Sequence, residues 1–308
     1  MKPEKWNKAG LLLTPDPGIW WMAQHVGPSF LKLKGDAHFD LYVTGRDAGN
    51  VSRVGVIRGK VDASRLLLES PPSEPLFDVG APGCFDESGV SYPWLVQHDN
   101  AYLMFYVGWV AGGKTGFQNY TGLVVSNNGC RTFERISPVP ILDRNQQEPY
   151  GSGSCAVVRE ESRYVMLYTS FHSWNNTPYK NRQFAPSYDI RIAYSADGRT
   201  WTRSGEVAIS LNKDETVLGK PSILKNLDGT YTVYFSARGS NYKIFRADGP
   251  SLTELTRAPE VELDTSPSGW DSQMVEYSHV VESGDFRFMI YNGNEFGKTG
   301  LGYAWSLK

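Results

Sequence analysis

The sequence lacks the features that mark several large functional classes. Lys and Arg (31 residues) nearly balance Asp and Glu (33 residues), which gives a net charge of −2. Balanced charge offers no electrostatic attraction for nucleic acid or for an anionic membrane surface. No stretch reaches the roughly 18 consecutive apolar residues of a membrane-spanning helix. We therefore expect no nucleic-acid partner and no membrane span.

Cysteine is scarce, and its spacing excludes further classes. Cys84, Cys130 and Cys155 contain no C-x-x-C pair, so they support neither a zinc site nor a disulfide framework. The apolar run at residues 11–13 is too short for a signal peptide and is followed by Pro-Asp-Pro at residues 15–17. We expect a cytoplasmic protein without a cofactor, with a cation on the axis of the fold as an open alternative. The sequence indicates no oligomeric state.

Aromatic residues, by contrast, are abundant, at 13% of the chain. Both β-strands and sugar-binding surfaces favour them. One aromatic-rich strand pattern recurs five times, at residues 39–43, 102–106, 164–168, 231–235 and 286–291. An apolar strand precedes each copy and a third strand follows it. The copies are about 55 to 70 residues apart, which leaves room for four strands in each unit.

This repetition predicts an all-β fold, a five-bladed β-propeller that spans residues 1–308 as one domain. The predicted blades cover residues 25–80, 90–140, 152–210, 218–262 and 275–308. The last blade has only three strands, so we expect the segment at about residues 6–24 to supply its outer strand and close the ring. A β-sandwich with long loops is the alternative, but it explains the even spacing poorly.

The segments that lead into the first strand of each blade form the predicted rim of an axial funnel. Four of the five carry carboxylates: Asp86 and Glu87, then Glu148, then Asp214 and Glu215, then Asp271 and Glu276. Cleavage of a glycosidic bond commonly uses two carboxylates, one as acid and one as base or nucleophile. We expect Glu148 to be the proton donor and Asp86 or Glu87 to be its partner. Glu215 is a further catalytic candidate.

Other side chains at the predicted rim are candidates for substrate binding. The cations Arg46, Lys220 and Arg238 suit a carboxylate or phosphate on the ligand. Candidates for hydrogen bonding or stacking are Gln24, His25, Asp271, Glu276, Asn292, Asn294 and Trp270. Further aromatic candidates are Trp20, Trp21, Tyr92, Trp109 and Trp174. For each of them, a local turn, a solvated charge or packing between blades is the alternative role.

Three motifs give the chain a resemblance to a known superfamily. They are Phe85-Asp86-Glu87-x-Gly89-Val90-x-x-Pro93, Ala193-Tyr194-Ser195-x-Asp197-Gly198-x-x-Trp201, and Gly269-Trp270-Asp271-Ser272 leading to Tyr291-Asn292-Gly293-Asn294. Over essentially its whole length the chain resembles the five-bladed propeller glycosidases of glycoside hydrolase families 32, 43, 68 and 130. It looks nearest to glycosidase-like propeller proteins of bacterial surface-polysaccharide gene clusters. The resemblance implies a carbohydrate ligand, a second-blade carboxylate at Asp86 and a third-blade acid at Glu148.

The first blade departs from the pattern of families 32 and 43. Those enzymes carry an acidic base or nucleophile where the first blade's inner strand begins, whereas residues 23–28 of this chain contain no carboxylate. Asp16 lies upstream. The departure argues against simple hydrolysis by that scheme. It leaves three alternatives open: phosphorolysis, sugar transfer, and a non-catalytic role in glycan binding or polysaccharide biosynthesis.

Overall fold

The computed structural model describes residues 5–35, 37–176 and 183–308. These residues form twenty strands and two short helical turns, Trp20–Met22 and Asn294–Gly297. The protein is therefore nearly all β, as the sequence predicts. No helix in the described part of the chain is long and apolar enough to cross a membrane.

The strands form antiparallel units of four, in which strands that follow each other along the chain pair, and a single parallel bridge between Tyr188 and Val217 joins the third and fourth units into one sheet of eight. The chain opens with β1 (Asn7–Leu13). The first unit comprises β2 (His25–Lys34), β3 (His38–Arg46), β4 (Ser52–Asp62) and β5 (Arg65–Leu68). The second comprises β6 (Val90–His98), β7 (Ala101–Ala111), β8 (Phe117–Ser126) and β9 (Glu134–Arg135).

The later units repeat this order. The third comprises β10 (Ser152–Arg159), β11 (Tyr164–Asn175), β12 (Ala185–Ser195) and β13 (Thr202–Ile209). The fourth comprises β14 (Val217–Lys225), β15 (Tyr231–Arg238), β16 (Tyr242–Gly249) and β17 (Thr256–Arg257). The fifth has β18 (Glu276–Ser283), β19 (Phe286–Asn292) and β20 (Leu301–Leu307). The five aromatic-rich sequence repeats all lie in second strands.

The fifth unit takes its outer strand from the other end of the chain. β1 pairs antiparallel with β20, from Asn7 opposite Trp305 to Leu13 opposite Leu301. Two irregularities interrupt the register of this pair. The fifth unit thus has four strands, like the others, although its fourth strand comes first in the sequence.

The first strands of the five units surround a common centre. β2, β6, β10, β14 and β18 contact one another in cyclic order. Hydrogen bonds link them between units: the N–H of Leu31 donates to Nδ1 of His279 at 3.0 Å, and the N–H of Val280 donates to Oγ of Ser222 at 3.2 Å. The inner ends of all five units therefore meet at one axis.

Aromatic side chains from the crossover segments, which connect each unit to the next, pack on glycines. In the first unit, the Trp21 ring lies over Gly45 of β3 and Gly55 of β4, and its Nε1 donates to the carbonyl of Pro72 at 3.0 Å. Phe85 packs in the same way on the second unit, and Trp270 on the fifth. The glycines are needed for space, because any side chain there would enter the ring.

Adding one methyl group at Gly55 is expected to destabilise the protein by about 2 kcal/mol, because the core around Trp21 has no room to expand. A Cβ at this position would lie 2.2 Å from the Trp21 ring, and Trp21 is completely buried. Urea denaturation of Gly55→Ala would measure the loss. Gly49→Ala is the control, since Gly49 is exposed and its nearest atom is the Asp47 carboxylate at 3.3 Å. Equal stability of the two variants would contradict this packing.

Candidate functional site

Each of the five first strands contains a bulge. After it, equivalent residues of the first strands pair with the second strands of their units: Phe30, Trp94, Ala156, Ser222 and His279. Two positions earlier stand the residues that we call the axial ring: Pro28, Tyr92, Ser154, Lys220 and Tyr277. Contacts between units join several of them, since the rings of Tyr92 and Tyr277 lie 5.1 Å apart and the N–H of Lys220 donates to Oγ of Ser154.

Three members of the axial ring have a backbone conformation that bulky residues rarely adopt. The φ angles of Tyr92, Lys220 and Tyr277 are 56°, 44° and 58°. Such angles cost on the order of 1–3 kcal/mol each and cluster at functional sites. Hydroxyls of the preceding unit hold two of them in place: Tyr92 N–H donates to Oγ1 of Thr44, and Tyr277 N–H donates to Oγ of Ser236.

The residue that precedes each member of the axial ring is small in four units and is a carboxylate in the fifth. Four units carry Gly27, Ser91, Gly153 and Gly219 there, and the fifth carries Glu276. Glu276 is completely buried. Burial, and then the negative charge of Glu276, raise the pKa of Tyr277 well above its usual value. The tyrosines around Glu276 therefore keep their phenolic protons at neutral pH and can donate hydrogen bonds.

Below the axial ring lies a buried group of polar side chains. Lys220 is 2% exposed, and its Nζ donates to the carbonyl of Ser278 at 2.9 Å. Burial lowers the pKa of Lys220 to about 7. Burial and then the charge of Lys220 lower the pKa of His279, while burial raises the pKa of the Cys155 thiol. Lys220 on β14 therefore links the fourth unit to β18 of the fifth.

Residues at or near the ends of the second strands surround the open end of the axis, which we call the mouth. They stand at equivalent positions: Arg46, Trp109, Phe171, Arg238 and Asn294. Aromatic rings connect the second and third units here, through Trp109–Phe117 at 5.2 Å, Phe117–Trp174 at 5.1 Å and Phe171–Tyr188 at 4.8 Å. The Tyr188 and Tyr242 hydroxyls, 3.2 Å apart, continue this surround towards Tyr277.

A cavity of about 410 Å³ opens at the mouth between the first and second units. Arg46, Glu87, Ser91, Tyr92 and Trp109 contribute to its lining. Nε1 of Trp109 donates to Oγ of Ser91 at 2.6 Å, which fixes the indole. A smaller cleft of about 30 Å³ shares Tyr92 and reaches Tyr277 on the axis. We call the larger space the mouth cavity.

Of the predicted catalytic carboxylates, Glu87 lines the mouth cavity, whereas Asp86, Glu148 and Glu215 take part in an arrangement that repeats between units. Asp86 accepts hydrogen bonds from Tyr106 and Arg135, both at 2.8 Å. Glu148 accepts from Tyr168 at 2.6 Å and from Arg203 at 2.8 Å. Asp271, predicted to bind substrate, accepts from Tyr291 at 3.0 Å and Lys8 at 2.7 Å. In each case the cation comes from the outermost strand of the unit, so the carboxylate ties the crossover segment to that strand.

The first and fourth units vary this arrangement. Glu215 forms a two-pronged ion pair with Arg257 on β17. Arg257 also lies 5.0 Å from the ring centre of Phe235, which replaces the tyrosine. In the first unit Met22 takes the place of the carboxylate, in an apolar cluster with Val43 and Leu66. Met22 thus forms an apolar version of the same anchor.

The remaining predicted residues divide between the mouth and local structural roles. Glu87 and Arg46 line the mouth cavity, whereas Gln24 bonds the carbonyl of Ala48 through its side chain. Oδ1 of Asn294 accepts the N–H groups of Gln273 and Met274, and Trp270 packs on glycines.

The other predicted residues have local structural surroundings. His25 begins β2, while Trp20 lies half-exposed beneath Arg53. Asn292 is completely buried against Gly27, and Arg238 donates to Oγ1 of Thr216. Asp16 accepts the N–H of Gly18 in a turn.

Sequence reasoning missed Phe171, Tyr188 and Tyr242, which complete the aromatic surround. Alignment of the five units on their bulges would have indicated Phe171, because it is equivalent to Arg46 and Trp109. Tyr188 and Tyr242 lie on third strands, where no rim residue was expected. Within the described ranges, no group of three or more His, Cys, Asp or Glu side chains is arranged to hold a metal ion.

The amino-acid sequence is similar to proteins of Mycobacterium tuberculosis. Uncharacterized protein Rv1502 (strain H37Rv) and Uncharacterized protein MT1551 (strain CDC 1551) are each 31% identical over 304 residues, which cover 97% of this chain and 98% of the relative. The chain belongs to the Rv1502 family. No protein-family model matches it.

Solved structures show the wider fold to which this Rv1502 family member belongs. A protein described as a glycoside hydrolase has a TM-score of 0.74 at 17% identity, covering 99% of this chain and 91% of that one. A structure from work on the GH130 family of mannoside phosphorylases has a TM-score of 0.73 at 14% identity, with 99% and 94% covered. The GH32 β-fructofuranosidase of Bombyx mori has 0.63 at 13%, with 99% and 62% covered. These likenesses show a glycosidase-like propeller fold.

Proposed function

We propose that the five four-stranded units are the blades of one five-bladed propeller formed by the whole chain. The cyclic contacts of the five first strands support this number of blades. The pairing of β1 with β20 supports closure of the ring between the two ends of the chain. The mouth is then one end of the propeller's axis.

We further propose that the protein binds a carbohydrate in the mouth. The observation that carries this proposal is the aromatic surround that opens onto the 410 Å³ mouth cavity. Aromatic faces pack on the apolar faces of sugar rings, while Ser91, Glu87 and Arg46 offer hydrogen bonds to hydroxyl groups. The GH130 structure comes from work on β-1,2-mannosidic linkages in Candida mannan, so mannosides belong in the first ligand panel.

Trp109→Ala is expected to weaken carbohydrate binding between about three- and tenfold, because one stacking wall of the cavity is lost. Isothermal titration calorimetry with the tightest ligand of a glycan panel would measure the change. Trp20→Ala is the matched control, since Trp20 is 42% exposed and lies outside the mouth cavity. Unchanged affinity in Trp109→Ala, or no binding to any glycan by the unaltered protein, would refute the proposal.

Cleavage of a glycosidic bond at this site is the second candidate, and Glu276 favours it. Glu276 is the carboxylate that replaces a small residue beside the axial ring, next to tyrosines that retain their protons. In this scheme Asp86, Glu148 and Glu215 act as structural anchors, because each is held by a cation of an outer strand. Product analysis with and without inorganic phosphate would separate hydrolysis from phosphorolysis. A glycan-binding accessory protein would give neither product.

A further inference from the structure

Arg46 is a cation of the mouth that contacts a side-chain amide and no carboxylate of the described residues. It lines the mouth cavity, and its guanidinium donates to Oδ1 of Asn50 at 3.3 Å. No carboxylate in the described ranges lies within ion-pair distance of Arg46. Its neighbour Asp47 is engaged by Arg53 at 2.7 Å and by the N–H of Val51. Arg46 therefore contributes a positive charge to the cavity lining and forms no ion pair with a carboxylate of the described residues.

The equivalent arginine of the fourth unit shows that this arrangement is not imposed by the fold. Arg238 stands at the same position, but it is 6% exposed, donates to Oγ1 of Thr216 and lies over the Tyr242 ring. Arginines of the outer strands, such as Arg135 and Arg203, pair with buried carboxylates. Arg46 instead lines the cavity in which we place the ligand.

The rest of the cavity lining suits the other groups of a sugar. Glu87 accepts the N–H of Gly83 at 2.6 Å and forms no ion pair with Arg46. Its second carboxylate oxygen and the hydroxyls of Ser91 and Tyr92 suit sugar hydroxyls, while Trp109 suits a ring face. A neutral sugar in this cavity would remove water from the guanidinium of Arg46 and return no negative charge to it.

We propose that the bound carbohydrate is acidic and that Arg46 binds its anionic group, either the carboxylate of a uronic acid or the phosphate of a phosphosugar. This inference rests on the proposed carbohydrate-binding function and specifies its ligand class. Planar, two-pronged binding of an oxyanion is the interaction for which a guanidinium is best suited. Glu87 then discriminates by position, because it repels an anionic group placed at its own end of the cavity.

Matched ligand pairs would test this inference directly. Glucose with glucuronate, galactose with galacturonate, and mannose with mannuronate differ only in the carboxylate at C6, and mannose 6-phosphate tests the phosphate. Calorimetric titration is expected to show at least one acidic sugar binding about tenfold or more tightly than its neutral partner. Arg46→Gln should abolish that preference, whereas Arg46→Lys should retain part of it. Arg58→Gln, which removes an exposed charge of the same sheet outside the mouth cavity, should have no effect.

The outcomes separate this inference from the function on which it rests. Equal affinity for neutral and acidic partners, or an acidic preference that survives Arg46→Gln, overturns the role of Arg46 while carbohydrate binding stands. A preference confined to the uronates assigns a carboxylate ligand, and one confined to mannose 6-phosphate assigns a phosphate. Failure of every sugar to bind, together with failure of the wider glycan panel, overturns both proposals.

Discussion

Replacing Glu148 by Gln is expected to lower the free energy of unfolding by about 3 kcal/mol. Glu148 is 1% exposed, and its carboxylate lies 2.8 Å from Arg203 and 3.5 Å from Arg191. Gln keeps the size of the side chain but removes its charge, so the guanidinium of Arg203 remains in a largely buried place without its counter-ion, while Arg191 keeps its ion pair with Asp189. Urea denaturation followed by tryptophan fluorescence would measure the loss.

A double-mutant cycle would assign this loss to the ion pair. The effects of Glu148→Gln and Arg203→Gln should be less than additive by about 1 kcal/mol or more, because either change alone breaks the same contact. Glu87→Gln is the control, since Glu87 is partly exposed at the mouth and should change stability by less than about 0.5 kcal/mol. A Glu148→Gln protein as stable as the unaltered one would show that Glu148 is not an anchor.

Glu276→Gln is expected to reduce glycan turnover by about 100-fold or more while ligand affinity changes little. The amide has nearly the same shape as the carboxylate but cannot exchange a proton with the glycosidic oxygen or with water, and general acid–base groups contribute rate factors of this size. Chromatographic detection of released sugar, or of sugar phosphate when phosphate is present, would measure turnover. Parallel calorimetry would measure affinity.

Asp16→Asn serves as the control for Glu276→Gln. Asp16 lies in an exposed turn, where its carboxylate accepts the N–H of Gly18, and its removal should leave turnover unchanged. Normal turnover in Glu276→Gln would remove Glu276 from the mechanism. Ligand binding without product from the unaltered protein, across the whole glycan panel, would favour the non-catalytic role.

The repeated strands could be predicted from the sequence because their signal is local. The aromatic-rich markers at residues 39–43, 102–106, 164–168, 231–235 and 286–291 occupy second strands in all five units. Each of these strands can be recognised from a few consecutive residues, because it is rich in aromatic residues and a short polar turn precedes it. The recurrence of carboxylates in the crossover segments is also local, and it correctly indicated equivalent positions.

The direction of those carboxylates could not be predicted, because their partners are distant in the sequence. Asp86 pairs with Arg135, and Glu148 pairs with Arg203, 49 and 55 residues further along the chain. Nothing in the crossover segment itself indicates whether a side chain turns towards the axis or towards the outer strand. Likewise, the tyrosines of the mouth lie together only because the third strands of separate units converge there.

Glu276 could have been distinguished from the other carboxylates if the five repeats had been aligned residue by residue. The sequence placed it among the substrate-binding candidates, in one group with Asp271, which the structure finds in an ion pair with Lys8. The two residues separate only after the bulges are aligned, because the bulge fixes which position faces the axis. A residue that differs from its four equivalents is then a stronger indication of function than a residue type that repeats in every unit.

The pairing of β1 with β20 has a consequence for how the chain is made. The first strand to be synthesised finds its partner only after nearly all the other strands have been made. At about 5 to 20 residues per second, β1 waits for on the order of 15 to 60 seconds. During that time its backbone edge, with the apolar side chains of residues 11–13, is open to any other unpaired strand. Ring closure is thus a late event in biogenesis, and crowding of nascent chains would favour exchange of β1 between neighbours.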